Sequence, residues 1–115
     1  MNAVSLIIYP ASDVEKAKSF FKLLLGVDPY AESPQYTGFR TGEMEVGLVQ
    51  RTLQNAATGA LAYVTVDDIN AAIETLVAAG AQKLQDVTDV GYGLLVASVK
   101  DPDGTPIGLR QFPPK

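Results

Sequence analysis

Glu45, Tyr63 and Arg110 are the side chains best equipped for chemistry on a small molecule: a carboxylate to take a proton, a phenol to give one and a guanidinium to clamp an anion. Glu43 and Glu45 stand two apart, and in an extended chain Glu45 shares a face with Gly47. Two such carboxylates could be weighed as metal ligands, but a solvated hairpin edge is their ordinary fate, so no metal ligand is assigned. What is missing narrows the choice further. The 115 residues include no Cys and no His, which removes a thiolate nucleophile, an imidazole base, disulfides, Cys/His zinc sites and any Ser-His-Asp or Cys-His arrangement. No acid is visibly paired with a base, so no residue is assigned as catalytic.

The remaining composition describes what must hold these groups. The length is that of one domain, and 47% hydrophobic residues are enough to build a core without a staple. The formal charge of −4 and the scattering of the nine basic residues argue against nucleic acid as a partner. The first apolar run, Val4 to Tyr9, is short and lacks a basic flank, and no later stretch approaches a membrane span. A cytoplasmic protein with no membrane partner is expected.

Val4 to Tyr9 is rich in β-branched and aromatic residues and stops at Pro10, which predicts a strand. Ser12 and Glu15 form a capping box, Val14, Ala17, Phe20, Phe21, Leu24 and Leu25 recur at helical spacing, and Gly26 supplies a left-handed stop. Pro29 to Gln35 reads as irregular. Strands are predicted at Tyr36 to Arg40 and Glu45 to Gln50 around a Thr41-Gly42-Glu43 turn. A second strand-helix unit follows: Leu61 to Val66, then a helix capped by Asp67 or Asp68, carrying Ile69, Ala72, Ile73, Leu76 and Val77 on one face and closed by Gly80. Strands at Gln82 to Val87, Gly93 to Val99 and Ile107 to Phe112 complete it, with an Asp101-Pro102-Asp103-Gly104 turn before the last.

Both halves therefore run strand, helix, then about three strands. Leu6 precedes Asp13 by seven residues as Leu61 precedes Asp68, and Gly47-Leu48 matches Gly108-Leu109. The expected organisation is one α+β domain of two βαβββ modules, about 1–51 and 60–115, joined by a connector at 52–59.

The segments Tyr9 to Gly26, Tyr63 to Ala81 and Lys100 to Leu109, in this order and spacing, resemble the glyoxalase/bleomycin resistance protein/dioxygenase group, the vicinal oxygen chelate (VOC) superfamily. The resemblance implies a curved mixed sheet forming a cup, and pairing into a homodimer. It also implies four positions for metal-binding His or Glu side chains, and these are here Leu6, Gly47, Leu61 and Gly108. Leu and Gly offer no side-chain lone pair, so neither metal nor other cofactor is expected.

An apolar cup with space above its glycines suits a small molecule. Strand alternation puts Leu6, Ile8, Glu45, Gly47, Val49, Leu61, Tyr63, Gly108 and Arg110 on its inner face, with an anion or Glu45 as partner for Arg110. Tyr30, Tyr36, Phe39 and Tyr92 are candidates for its rim. The expected function is metal-free binding of a small molecule, with antibiotic sequestration as one form of it. The alternatives are a metal-independent glyoxalase-like lyase or isomerase, and a structural dimerisation domain without ligand.

Overall fold

The first module starts with β1 (Ala3–Ala11) and α1 (Val14–Leu25), and continues through β2 (Ala31–Ser33), β3 (Tyr36–Thr41) and β4 (Met44–Gln50). The second repeats the order with β5 (Leu61–Thr65), α2 (Ile69–Ala78), β6 (Gln82–Asp89), β7 (Leu95–Lys100) and β8 (Pro106–Gln111). The computed structural model describes residues 3–52 and 59–114, so the connector expected at 52–59 lies outside the described residues but for its two ends. The described residues form two compact units, Ser5–Leu61 and Ala62–Lys115, the latter taking in the chain start to Val4.

In the first unit the strands are ordered β2-β3-β4-β1, with β1 parallel to β4 and the others antiparallel. In the second they are ordered β5-β8-β7-β6, with β5 parallel to β8. The two parallel ladders share one register: Ile8 stands beside Gly47 as Tyr63 stands beside Gly108. A further repeated residue closes each module. Gln50 donates from Nε2 to the Ser12 carbonyl at 3.0 Å, and Gln111 accepts from the Ile69 backbone N–H at 2.8 Å. Each glutamine, three residues after its Gly, ties the end of a strand to the head of the helix, where backbone groups lack intrahelical partners.

One side of each sheet carries a helix. Phe39, Val46 and Leu48 form the buried centre of the first core, against which Tyr9, Val14, Ala17, Phe21 and Leu25 pack. Val66, Ile69, Ile73, Ala97 and Leu109 form the second. Because side chains alternate along a strand, the opposite face holds Tyr36, Gly38, Arg40, Glu45 and Gly47 in one unit and Tyr63, Thr65, Gly108 and Arg110 in the other.

Several sequence expectations shift. The cap of α1 is Asp13, whose carboxylate accepts from the Lys16 N–H at 3.1 Å, one residue beyond the expected Ser12. Asp68 caps α2, accepting from Ala71 at 3.0 Å, and Gly80 closes it as expected: at φ 110° it follows the cap residue Ala79, and the Ala81 N–H reaches back to the Leu76 carbonyl at 3.0 Å. Phe20 and Leu24 belong to the helical pattern yet are mostly exposed, as is Leu23, because only Val14, Ala17, Phe21 and Leu25 reach the sheet. β1 runs through Pro10 to Ala11, since proline near a strand end loses little ladder bonding; the Pro10 carbonyl accepts from Arg51 Nη2 at 3.0 Å. The stretch read as irregular contains β2, held by pairing to β3 rather than by any propensity of its own. Among the described residues no helix is long and apolar enough to cross a membrane.

Candidate functional site

Gly38 and Gly47 are direct cross-strand partners on β3 and β4, so this patch of the first unit's inner face has no side chains. Two tyrosines cover it. A Cβ placed on Gly47 would lie 2.5 Å from Cε1 and the hydroxyl oxygen of Tyr36 and 2.6 Å from Ile8 Cδ1. One placed on Gly38 would lie 2.8 Å from Tyr36 Cε2 and 3.0 Å from Tyr30 Cε1. The Tyr36 ring thus spans both glycines. In the second unit Gly108 plays the same part: a Cβ there would meet Tyr63 at 2.6 Å from Cδ2 and Cε2 and 2.7 Å from Cγ. The space expected above the glycines is therefore occupied by aromatic rings, because a bare strand surface beside a large flat side chain is filled rather than left void.

Next to the glycine floor is a polar cluster. The Tyr30 hydroxyl donates to Glu45 Oε1. Arg40, the cross-strand partner of Glu45, brings Nη2 to 3.7 Å from the same oxygen, and its Cζ stands 4.1 Å from the Tyr30 ring centroid. The Glu45 side chain is 15% exposed and that of Arg40 59%. Partial burial, then the bond to Glu45, pushes the Tyr30 phenol well above its ordinary range, with Tyr36 contributing. This phenol therefore stays a donor, and Glu45 carries the charge it faces.

In the second unit Arg110 is buried at 6% exposure. Its Nε donates to Thr65 Oγ1 at 3.1 Å, and its guanidinium lies 4.8 Å from the Phe112 ring centroid. The Tyr63 phenol is pushed upward by burial. Two concavities of this unit lie on the helix side; one, of about 340 Å³, runs between α2 and the strands past Val64, Leu76 and Leu109.

Leu6, Ile8, Tyr36, Glu45, Gly47 and Val49 thus share the inner face of the first unit, and Tyr63, Gly108 and Arg110 that of the second; Leu61, the last residue of the first unit, is in phase with Tyr63 along β5. One rim candidate falls elsewhere. Phe39 is fully buried against α1, because it is odd in the alternation that turns Tyr36 and Gly38 inward. Tyr92 is fully exposed at φ 55° on the turn after β6. Sequence reasoning gave no role to Gly38 or Arg40; the signal was the spacing Tyr36-x-Gly38-x-Arg40, period two along one strand.

The positions at which the resemblance puts metal ligands do not suit an ion. Leu6, Gly47, Leu61 and Gly108 supply no donor, and tyrosine rings cover the two glycines. Among the described residues no three His, Cys, Asp or Glu side chains converge.

Comparison with known proteins agrees with this architecture. A "Glyoxylase-like domain-containing protein" of Didymella fabae is 29% identical over 97 residues, covering 76% of each chain. Among solved structures, an NAD-dependent benzaldehyde dehydrogenase from Legionella pneumophila superposes with TM-score 0.76 at 19% identity, over 98% of this chain and 100% of that one. A methylmalonyl-CoA epimerase from Mycobacterium tuberculosis gives 0.72 at 14%, over 96% and 88%. A superfamily member from Vibrio splendidus gives 0.71 at 18%, over 96% and 99%. At these identities the solved structures share the fold and nothing finer. The sequence profile of one family spans residues 3–109, nearly the whole of both βαβββ modules, and the chain belongs to the Glyoxalase/Bleomycin resistance protein/Dioxygenase superfamily.

Proposed function

We propose that this protein binds a small molecule on the inner sheet faces of its modules, without a metal ion, and that antibiotic sequestration is one role this supports. The observation that carries the reading is the replacement of metal donors by Leu6, Gly47, Leu61 and Gly108, two of them roofed by tyrosines. What replaces the ion is an aromatic surface edged by Glu45 and Arg40 in the first unit and by Arg110 in the second. Such a mixture of flat apolar area and a few fixed polar groups is what small-molecule sites are made of. A homodimer in the cytoplasm belongs to the same reading, and light scattering tests the pairing.

Metal analysis of protein purified without chelator, followed by a thermal-shift screen of aromatic antibiotics and small carboxylates, tests it. A ligand bound only by the folded state raises the midpoint. A stoichiometric divalent ion, or a screen in which nothing shifts the midpoint, overturns it.

One observation favours a second reading, a metal-independent lyase or isomerase. The carboxylate of Glu45 and the neutral phenol of Tyr30 form an acid–base pair at the edge of the site. Substrate-dependent exchange of a carbonyl-adjacent proton, abolished by Glu45→Gln, would support it.

A further inference from the structure

We propose that Tyr30 and Glu45 form a recognition site for an organic cation, an ammonium or guanidinium group of a small molecule, and that the chain's own Arg40 occupies this site in the free protein. The proposal rests on the small-molecule reading above and names the ligand class of its first-unit face.

The geometry supplies both elements of a cation site. A guanidinium is already seated over a tyrosine ring, 4.1 Å from its centroid, which is the arrangement by which an aromatic face attracts positive charge. The same group faces a carboxylate. Glu45 is mostly enclosed and receives the Tyr30 hydroxyl, so its orientation is set by the protein and not by Arg40.

Arg40, in contrast, is loosely held. Its Nη2 is 3.7 Å from Glu45, outside the 2.7–2.9 Å of a charge-assisted hydrogen bond, and its side chain is more than half exposed. A free ligand is not tethered to β3 and can close that gap. Displacing Arg40 needs only side-chain rotation, since its backbone remains in the β3–β4 ladder opposite Glu45. The net charge of −4 favours approach of a cation.

An internal occupant lowers the apparent affinity by the fraction of time it holds the site. Removing a positive side chain should therefore strengthen binding of a positive ligand. Exposed ion pairs and cation–π contacts are weak enough that the gain should be roughly three- to thirtyfold.

The experiment titrates benzylammonium at neutral pH, with neutral benzyl alcohol as control, into wild type, Arg40→Gln, Glu45→Gln and Tyr30→Phe by calorimetry, after circular dichroism has confirmed folding. The expected result is tighter binding of the cation by Arg40→Gln, a loss of about tenfold or more in Glu45→Gln, and retention in Tyr30→Phe, which keeps the ring. If Glu45→Gln does not fold, the exposed Arg40→Gln variant still decides. Equal or weaker cation binding by Arg40→Gln, or no binding of the cation at all, overturns the proposal. Equal binding of benzyl alcohol also overturns it while leaving small-molecule binding intact, and the thermal-shift screen judges that broader reading separately.

Discussion

Replacing Gly108 with alanine should destabilise the protein more than the same change at Gly47, though both glycines lie under a tyrosine. A methyl group at 108 would stand 2.6–2.7 Å from three atoms of Tyr63, including Cγ. Comfortable carbon contacts begin near 3.5 Å, so the ring must retreat by about 1 Å. Cγ is the root of the ring, and it cannot retreat without turning χ1 or moving β5, whose register with β8 is fixed at this residue pair. At 47 the encroached atoms are Cε1 and the hydroxyl of Tyr36 and Cδ1 of Ile8, all outer ends of side chains that can swing. Overpacking costs about 1–3 kcal/mol, and alanine recovers about 0.5–1 kcal/mol over glycine in a strand. Taking the upper end of the cost for 108 and the lower for 47, Gly108→Ala should lose about 2 kcal/mol, or about 8 °C of Tm, and Gly47→Ala close to nothing. Urea and thermal unfolding read both. The double variant Tyr63→Ala/Gly108→Ala removes the obstructing ring, so alanine at 108 should add no further loss and the cycle should show a coupling of about 2 kcal/mol. A Gly108→Ala protein as stable as wild type, a larger loss at 47, or simple additivity in the cycle would refute the reasoning.

Other expectations test the rest of the molecule. Asp13→Ala should cost about 1 kcal/mol and Ser12→Ala almost nothing, because the observed cap is Asp13; chemical denaturation checks the order. Leu48→Ala, at a fully buried core position, should cost about 2–5 kcal/mol, whereas Leu23→Ala on the exposed side of α1 should stay within about 0.5 kcal/mol. The folded state holds Tyr30 and Tyr63 neutral beyond the pH of about 10 at which an unfolded tyrosine ionises. Their contribution to stability is complete below that pH and is lost as pH rises toward their folded values. Stability should thus fall above about pH 10, and less steeply in Tyr30→Phe and Tyr63→Phe, as alkaline denaturation followed by phenol absorbance would show.

Much of the fold was legible because its signals are local. The helix starting near Asp13 and ending at Gly26 has its cap, apolar spacing and left-handed stop within fourteen consecutive residues, and Gly26 indeed stands at φ 72°. The Asp101–Gly104 turn was equally plain, with Asp101 accepting from the Asp103 and Thr105 N–H groups, both at 2.9 Å. β2 was not legible. Ala31–Ser33 has no strand character of its own, and only the neighbouring β3 makes it one. The exposure of Phe20 and Leu24 was not legible for a related reason: helical spacing describes a stripe, but how much of the stripe meets the sheet depends on where the helix lies.

By itself the sequence determined two βαβββ modules in equivalent register, and the absence of donors at Leu6, Gly47, Leu61 and Gly108. The first follows from residue type and spacing, and the second from the residue types standing at the positions that the family resemblance singles out; neither needs knowledge of distant neighbours. Only tertiary structure decided what stands in the vacated space. A glycine in a sequence signals room, but whether that room stays open depends on which side chain a neighbouring strand or loop brings across it. Here Tyr36 is brought by β3 and Tyr63 by β5, while Arg40 is carried to Glu45 by a cross-strand pairing. The strand surface expected to be open at Gly47 and Gly108 is covered in each unit by a tyrosine ring, because close contact between rings and bare backbone costs less than an empty cavity.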